Sequence, residues 1–93
     1  MVVGVLRVEC SLPGTQSIKD KRRIVKSLLA RLHNRFHVAA AEVAHQDSWR
    51  RAGLAVAYIS TDTRHADQVL AHVADAIGRQ TDLVVLDYAV EMR

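Results

Sequence analysis

From Ser17 to Phe36 the chain reads SIKDKRRIVKSLLARLHNRF, with Ile18, Val25, Leu28, Leu29, Leu32 and Phe36 at helical spacing. Lys19, Arg22, Arg23 and Lys26 fall on the opposite side of the same helix. A helix with one apolar stripe has to lay that stripe on a second layer of structure. The flanking segments must therefore supply the layer.

They read as strands. Val2, Leu6, Val8, Cys10 and Leu12 share one side of an alternating run, and Arg7, Glu9 and Ser11 share the other, which is the period of a half-buried strand. Pro13-Gly14 ends that run, because proline has no N–H for the ladder and glycine permits a turn. Ser17 and Asp20 then resemble a capping box, which places the helix start at about Ile18. From His37 to about Ala44 and from Gly53 to Ser60 (GLAVAYIS) the sequence predicts two more strands, joined by a loop over His45 to Ala52. The second of these is apolar throughout, as expected of a central strand. A second helix is predicted from Thr63 or Arg64, capped by Thr61, Asp62 or Thr63 and ending near Gly78. Leu83 to Met92 predicts a last strand, with Val84, Leu86, Tyr88, Val90 and Met92 on one side and Asp87 and Glu91 on the other.

The order βαββαβ, with right-handed crossovers, predicts an α+β fold: a ferredoxin-like sandwich of a four-stranded antiparallel sheet with both helices on one face. Residues 1–93 are expected to form a single such domain. No segment reaches the roughly 18 apolar residues of a membrane span, and the one cysteine, Cys10, allows no intrachain disulfide. A reduced, cytoplasmic, soluble protein with no membrane partner is the expectation.

Charge narrows the partners. The segment from Ser17 to Phe36 holds seven of the thirteen Lys and Arg residues. Residues 1–40 carry a net +6 and residues 41–93 a net −3. Lys19 and Lys21 lie in the first helical turn, where cations oppose the helix dipole, so helix stability does not account for them. An anion such as RNA phosphate does account for them; a solvated face tied to Asp67 or Asp75 is the plainer alternative. Trp49, between Ser48 and Arg50-Arg51, reads either as a base-stacking or partner-anchoring indole or as a side chain folded over one end of the core. The candidate nucleic-acid-binding set is thus Lys19, Lys21, Arg22, Arg23, Lys26, Trp49, Arg50 and Arg51.

If the alternation points inward, the open sheet face receives Arg7, Glu9, Glu42, Asp87 and Glu91. It is acidic and lacks the aromatic residues with which RNA-recognition motifs stack bases. That face, or the Trp49 loop, suits instead a protein partner or a second copy of the chain.

Chemistry for catalysis is not recognisable. His33 and His37 have i,i+4 spacing but no evident third ligand, so no metal is expected. LPGTQS has neither a Walker lysine nor a run of glycines, and no cofactor is expected. Acylphosphatase, the nearest enzyme on this fold, would need an arginine in the first loop and an asparagine on a central strand; the only asparagine is Asn34.

SIKDKRRIVKSL, NRFHVAAAEVAHQDSWRRAGLAVAYIS and DLVVLDYAVEMR together resemble the YlxP-like family, the domain of unknown function 503. Ser17, Lys19, Lys21, Arg22, Lys26, Ser27, Asn34, Phe36, Glu42, Asp47, Trp49 and Ala52 fall where that pattern has them, and His37 departs from an expected smaller polar residue. The resemblance implies a small bacterial protein of ferredoxin-like fold, often encoded beside translation and ribosome-maturation factors, and it brings no activity. Binding of RNA or a ribosomal assembly through the first helix is the expectation that follows.

Overall fold

Alternation, turn and helical period each appear where physical chemistry places them in the computed structural model, which describes residues 1–93. The elements are β1 (Val2–Ser11), α1 (Ile18–Phe36), β2 (Ala39–Ala44), β3 (Arg51–Ser60), α2 (Thr63–Gly78) and β4 (Val84–Met92). The strands form one antiparallel sheet in the order β2-β3-β1-β4, the ferredoxin-like arrangement. β1 and β3 are central and pair from Val2↔Ser60 to Ser11↔Arg51.

One face of the sheet carries the core. Leu6, Val8 and Cys10 of β1 and Leu54 and Val56 of β3 meet Val25, Leu28 and Leu32 of α1 and Leu70, Val73 and Ile77 of α2, all buried. Each large aliphatic side chain of this set contributes about 1.5–3 kcal/mol on burial. The opposite face is lined by Val3, Val5, Arg7 and Glu9 of β1 and their register partners Ala55, Ala57 and Ile59 of β3 and Ala89 and Glu91 of β4.

The helix ends follow local chemistry. Ser17 Oγ accepts from Asp20 N at 3.0 Å, as the capping box requires, but the Asp20 carboxylate accepts from Gln16 N at 3.4 Å, one residue before the cap. Asp62 caps α2 through Arg64 N. His37 closes α1 in the left-handed region at φ 56°, its N–H donating to His33 O. That cap consumes His37, so β2 starts at Ala39.

Two side-chain placements differ from the sequence pattern. The pairing of β1 with β4 shifts between Glu9 and Cys10, so that Glu9 faces Asp87 while Cys10 faces Val85. This irregularity inserts Leu86 and reverses the phase: Val85 packs against the core, whereas Val84 is 51% exposed. Glu42 is also not on the open face. Its partner in register is the buried Leu54, so its side chain points to the helix layer, where it meets Lys21.

Candidate nucleic-acid interface

Helical geometry sorts the basic residues of α1 into two groups. Lys21, Val25, Leu28 and Leu32 are the buried residues of this helix and define its inward stripe. Lys19, Arg22, Arg23 and Lys26 project from the other side and are exposed. None of the five ion pairs in the molecule involves any of these four. The acids of α2 do not reach them: Asp75 pairs with Arg79 on its own helix at 2.8 Å, and Asp67 enters no ion pair. The result is an uncompensated cationic strip along the outer face of α1.

Lys21 does not belong to that strip, contrary to the sequence expectation. Its side chain is 0% exposed, and Nζ donates to His45 O at 2.7 Å and Arg51 O at 2.9 Å. Glu42 Oε2 lies 2.6 Å from Nζ, a close ion contact whose angles are not those of a hydrogen bond. A buried ammonium is tolerable only when charge and hydrogen-bond donors are both matched, and three oxygens do this here. The signal was present in the sequence, because positions 21, 25, 28 and 32 repeat at helical spacing. Lys21 fills an inward position.

The segment between β2 and β3 is fastened to the base of α1. The Thr15 hydroxyl, almost wholly buried, lies within hydrogen-bonding reach of Leu12 O and Trp49 O, and Leu12 N donates to Arg50 O. With the two Lys21 bonds, these contacts hold 45–51 beside the start of α1. Thr15 was not among the residues singled out from the sequence; a small hydroxyl directly after Pro13-Gly14 was its only mark.

Trp49 is 40% exposed, with the Arg50 guanidinium 4.8 Å from its ring centroid. The indole is thus neither buried in the core nor wholly free. Arg51 separates from this group. It starts β3 on the open-face side, 3.9 Å from Glu9 Oε2, which also receives His45 Nε2 at 2.9 Å. Of the eight sequence-derived residues, Lys19, Arg22, Arg23 and Lys26 share the exposed side of α1 and Trp49 and Arg50 stack on each other in the 45–51 segment, while Lys21 and Arg51 are committed elsewhere.

The histidines are dispersed: His33 Nδ1 contacts Val38 O, and His65 Nε2 contacts the Tyr58 hydroxyl. No three His, Cys, Asp or Glu residues lie close enough together to hold a metal ion. No helix is long and apolar enough to cross a membrane.

Two comparisons bear on kinship. A family model described as Protein of unknown function (DUF503) matches residues 3–90. The Uncharacterized protein YlxP of Bacillus subtilis (strain 168) is 31% identical to the chain over 72 residues, which cover 77% of the chain and 78% of that protein.

Proposed function

We propose that this chain, which belongs to the DUF503 family of proteins of unknown function, is a noncatalytic accessory protein that binds RNA, alone or within a ribosomal or translation assembly, through the outer face of α1. One observation carries the reading: Lys19, Arg22, Arg23 and Lys26 are exposed together and no carboxylate pairs with them. Cations held free of intramolecular partners are available to phosphates, and their counterions are released on binding. Lys19 adds a second argument, since it stands in the first turn, where the helix dipole disfavours it.

The sheet supports the same choice of face by its composition. Tyr58 and Tyr88 pair in register with Gly4 and Val8, on the helix side. The open face thus offers no aromatic platform for bases. Affinity for bulk cellular RNA, measured across a salt series, tests the proposal. Four phosphate contacts predict a logarithmic salt slope of about −2.8 on single strands. Binding that is absent, or indifferent to salt, sinks it.

A second reading rests on Trp49. A half-exposed indole beside an arginine is the composition of an interface anchor, so a protein partner docking on the 45–51 segment is the rival. In that case Trp49→Ala abolishes partner capture while Arg22→Glu with Arg23→Glu leaves it intact.

A further inference from the structure

The C-terminal half of α1 passes the C-terminal end of α2 across a groove of about 370 Å³. Buried Leu28 and Leu32 and half-buried Ala76 give it an apolar floor, and Arg31, Asn34 and Arg35 stand exposed on its rim. The two guanidiniums are held in different ways. Arg31 Nη2 donates to Gln80 Oε1 at 2.9 Å, and Gln80 is itself tied to α2, its Nε2 donating to Ala76 O at 3.3 Å. Arg35 sits over the Phe36 ring, 4.9 Å from its centroid, and Phe36 packs against the core. Both partners are neutral, and neither arginine enters any of the five ion pairs. Arg35 lies in the last turn of α1, where a cation suits the helix dipole. Arg31 stands a turn earlier, beyond that effect, and at i,i+4 from Arg35, a spacing at which like charges repel. The fold thus keeps two positive groups on neighbouring turns beside an apolar floor, with no acid to relieve them.

We infer that this groove is a mononucleotide site: Arg31 takes the phosphate, and the base lies along the apolar floor against the Arg35 guanidinium, which Phe36 backs. Charge calls for an anion, and a phosphate accepts the forked N–H donors of a guanidinium. The floor calls for a ligand that is flat or apolar at its other end. Bases stack on arginine planes as they do on aromatic rings, and a guanidinium already seated on Phe36 loses little further freedom when a base covers it. The volume lies toward the small end of ligand sites, which suits one nucleotide. Asn34 adds an amide whose donor and acceptor complement an adenine edge, so adenosine 5′-monophosphate is the probe of choice. Lys19, Arg22, Arg23 and Lys26 do not line the groove, and the site therefore does not rest on the RNA reading of the α1 strip.

Titration of the isotope-labelled full chain with adenosine 5′-monophosphate, followed by amide chemical shifts, tests the inference. Shifts at Arg31, Asn34, Phe36 and Gln80 should saturate in the millimolar range or below. Arg31→Ala should weaken binding about tenfold or more by removing the phosphate contact. Arg35→Lys should weaken it about fivefold or more, because an ammonium keeps the charge but offers no plane for a base. Both positions are exposed, so the variants should fold as the wild type does. Arg22→Glu with Arg23→Glu should leave nucleotide affinity within about twofold, which separates failure of the groove from failure of the RNA reading. A single-stranded oligoadenylate that displaces the nucleotide assigns the site to an unpaired residue of RNA, and one that does not assigns it to the free nucleotide. No saturable shift, equal binding of ribose 5-phosphate or of a hexaglutamate peptide, or an Arg35→Lys variant that binds as tightly as the wild type overturns the proposal.

Discussion

Lys21 Nζ lies 2.6 Å from Glu42 Oε2, at side-chain exposures of 0% and 15%, and the same ammonium holds the backbone carbonyls of His45 and Arg51. One cation therefore ties α1 to the far end of β2 and to the start of β3. Lys21→Met should remove the charge partner of Glu42 and the donor to both carbonyls. Breaking a buried pair on one side costs about 3–5 kcal/mol. Urea unfolding should show that loss, and Lys21→Met with Glu42→Leu should recover part of it. Recovery should be incomplete, since the carbonyls still lack their donor. An effect below about 0.5 kcal/mol, the range of ordinary surface changes, contradicts the structural role.

Gly53 marks the other tight contact in this corner. A Cβ at Gly53 would stand 2.7 Å from Ala44 Cβ and 3.1 Å from Glu9 Oε1, across the register shift of β2 and β3. The Ala44 Cβ is fixed to the backbone and has no rotamer to yield. At Gly4 the closest atom is Leu70 Cδ1, also at 2.7 Å but at the end of a side chain that can turn. Gly53→Ala should therefore destabilise more than Gly4→Ala, within the roughly 1–3 kcal/mol typical of overpacking. Thermal unfolding of the two variants under identical conditions decides the order.

The basic face and the open face should separate in a binding assay. Arg22→Glu with Arg23→Glu should roughly halve the logarithmic salt slope for RNA, from about −2.8 to about −1.4, by removing two of four phosphate contacts. Arg51→Glu should leave the slope unchanged, because Arg51 lies toward Glu9 on the other side of the sheet. Exposed charge substitutions leave folding within about 0.5 kcal/mol, so circular dichroism of all variants should match the wild type. Equal effects from the two variants would show that the α1 strip is not the binding surface.

Periodicity carried most of the architecture. The alternation of Leu6, Val8 and Cys10 and the stripe Val25, Leu28, Leu32 are each read directly from spacing, because a buried apolar set must repeat with the backbone's own period. What spacing could not convey was register. Leu86 is an ordinary strand residue in sequence, and only the register of β4 on β1, which skips it, makes it the inserted residue that turns Val84 outward and Val85 inward. Lys21 and Glu42 illustrate the other limit: charge alone assigns both to solvent, and only their mutual neutralisation across two elements allows burial. The same reasoning missed Thr15, whose partners Leu12 O and Trp49 O are set by loop geometry. The exposed α1 cations were legible as charge, but their freedom from Asp67 and Asp75 was a matter of tertiary distance.

Cys10 gives stability a definite alkaline limit. Burial, and secondarily the charge of Glu9, push its thiol from the ordinary 9.0 up to about 11. The unfolded chain thus releases this proton at a lower pH than the folded chain. The contribution is fully present below about pH 9 and is lost as pH rises toward about 11, at up to about 1.4 kcal/mol per pH unit. Other groups titrate in this range, so the comparison must be internal. The stability difference between the wild type and Cys10→Ala, from urea unfolding, should shift against the wild type by about 1.4 kcal/mol between about pH 8 and about pH 10. A constant difference would mean that the thiolate is as well accommodated in the folded protein as in the unfolded chain. The same burial predicts that iodoacetamide modifies Cys10 in folded protein far more slowly than in urea, since the thiolate is the nucleophile and the folded site suppresses it.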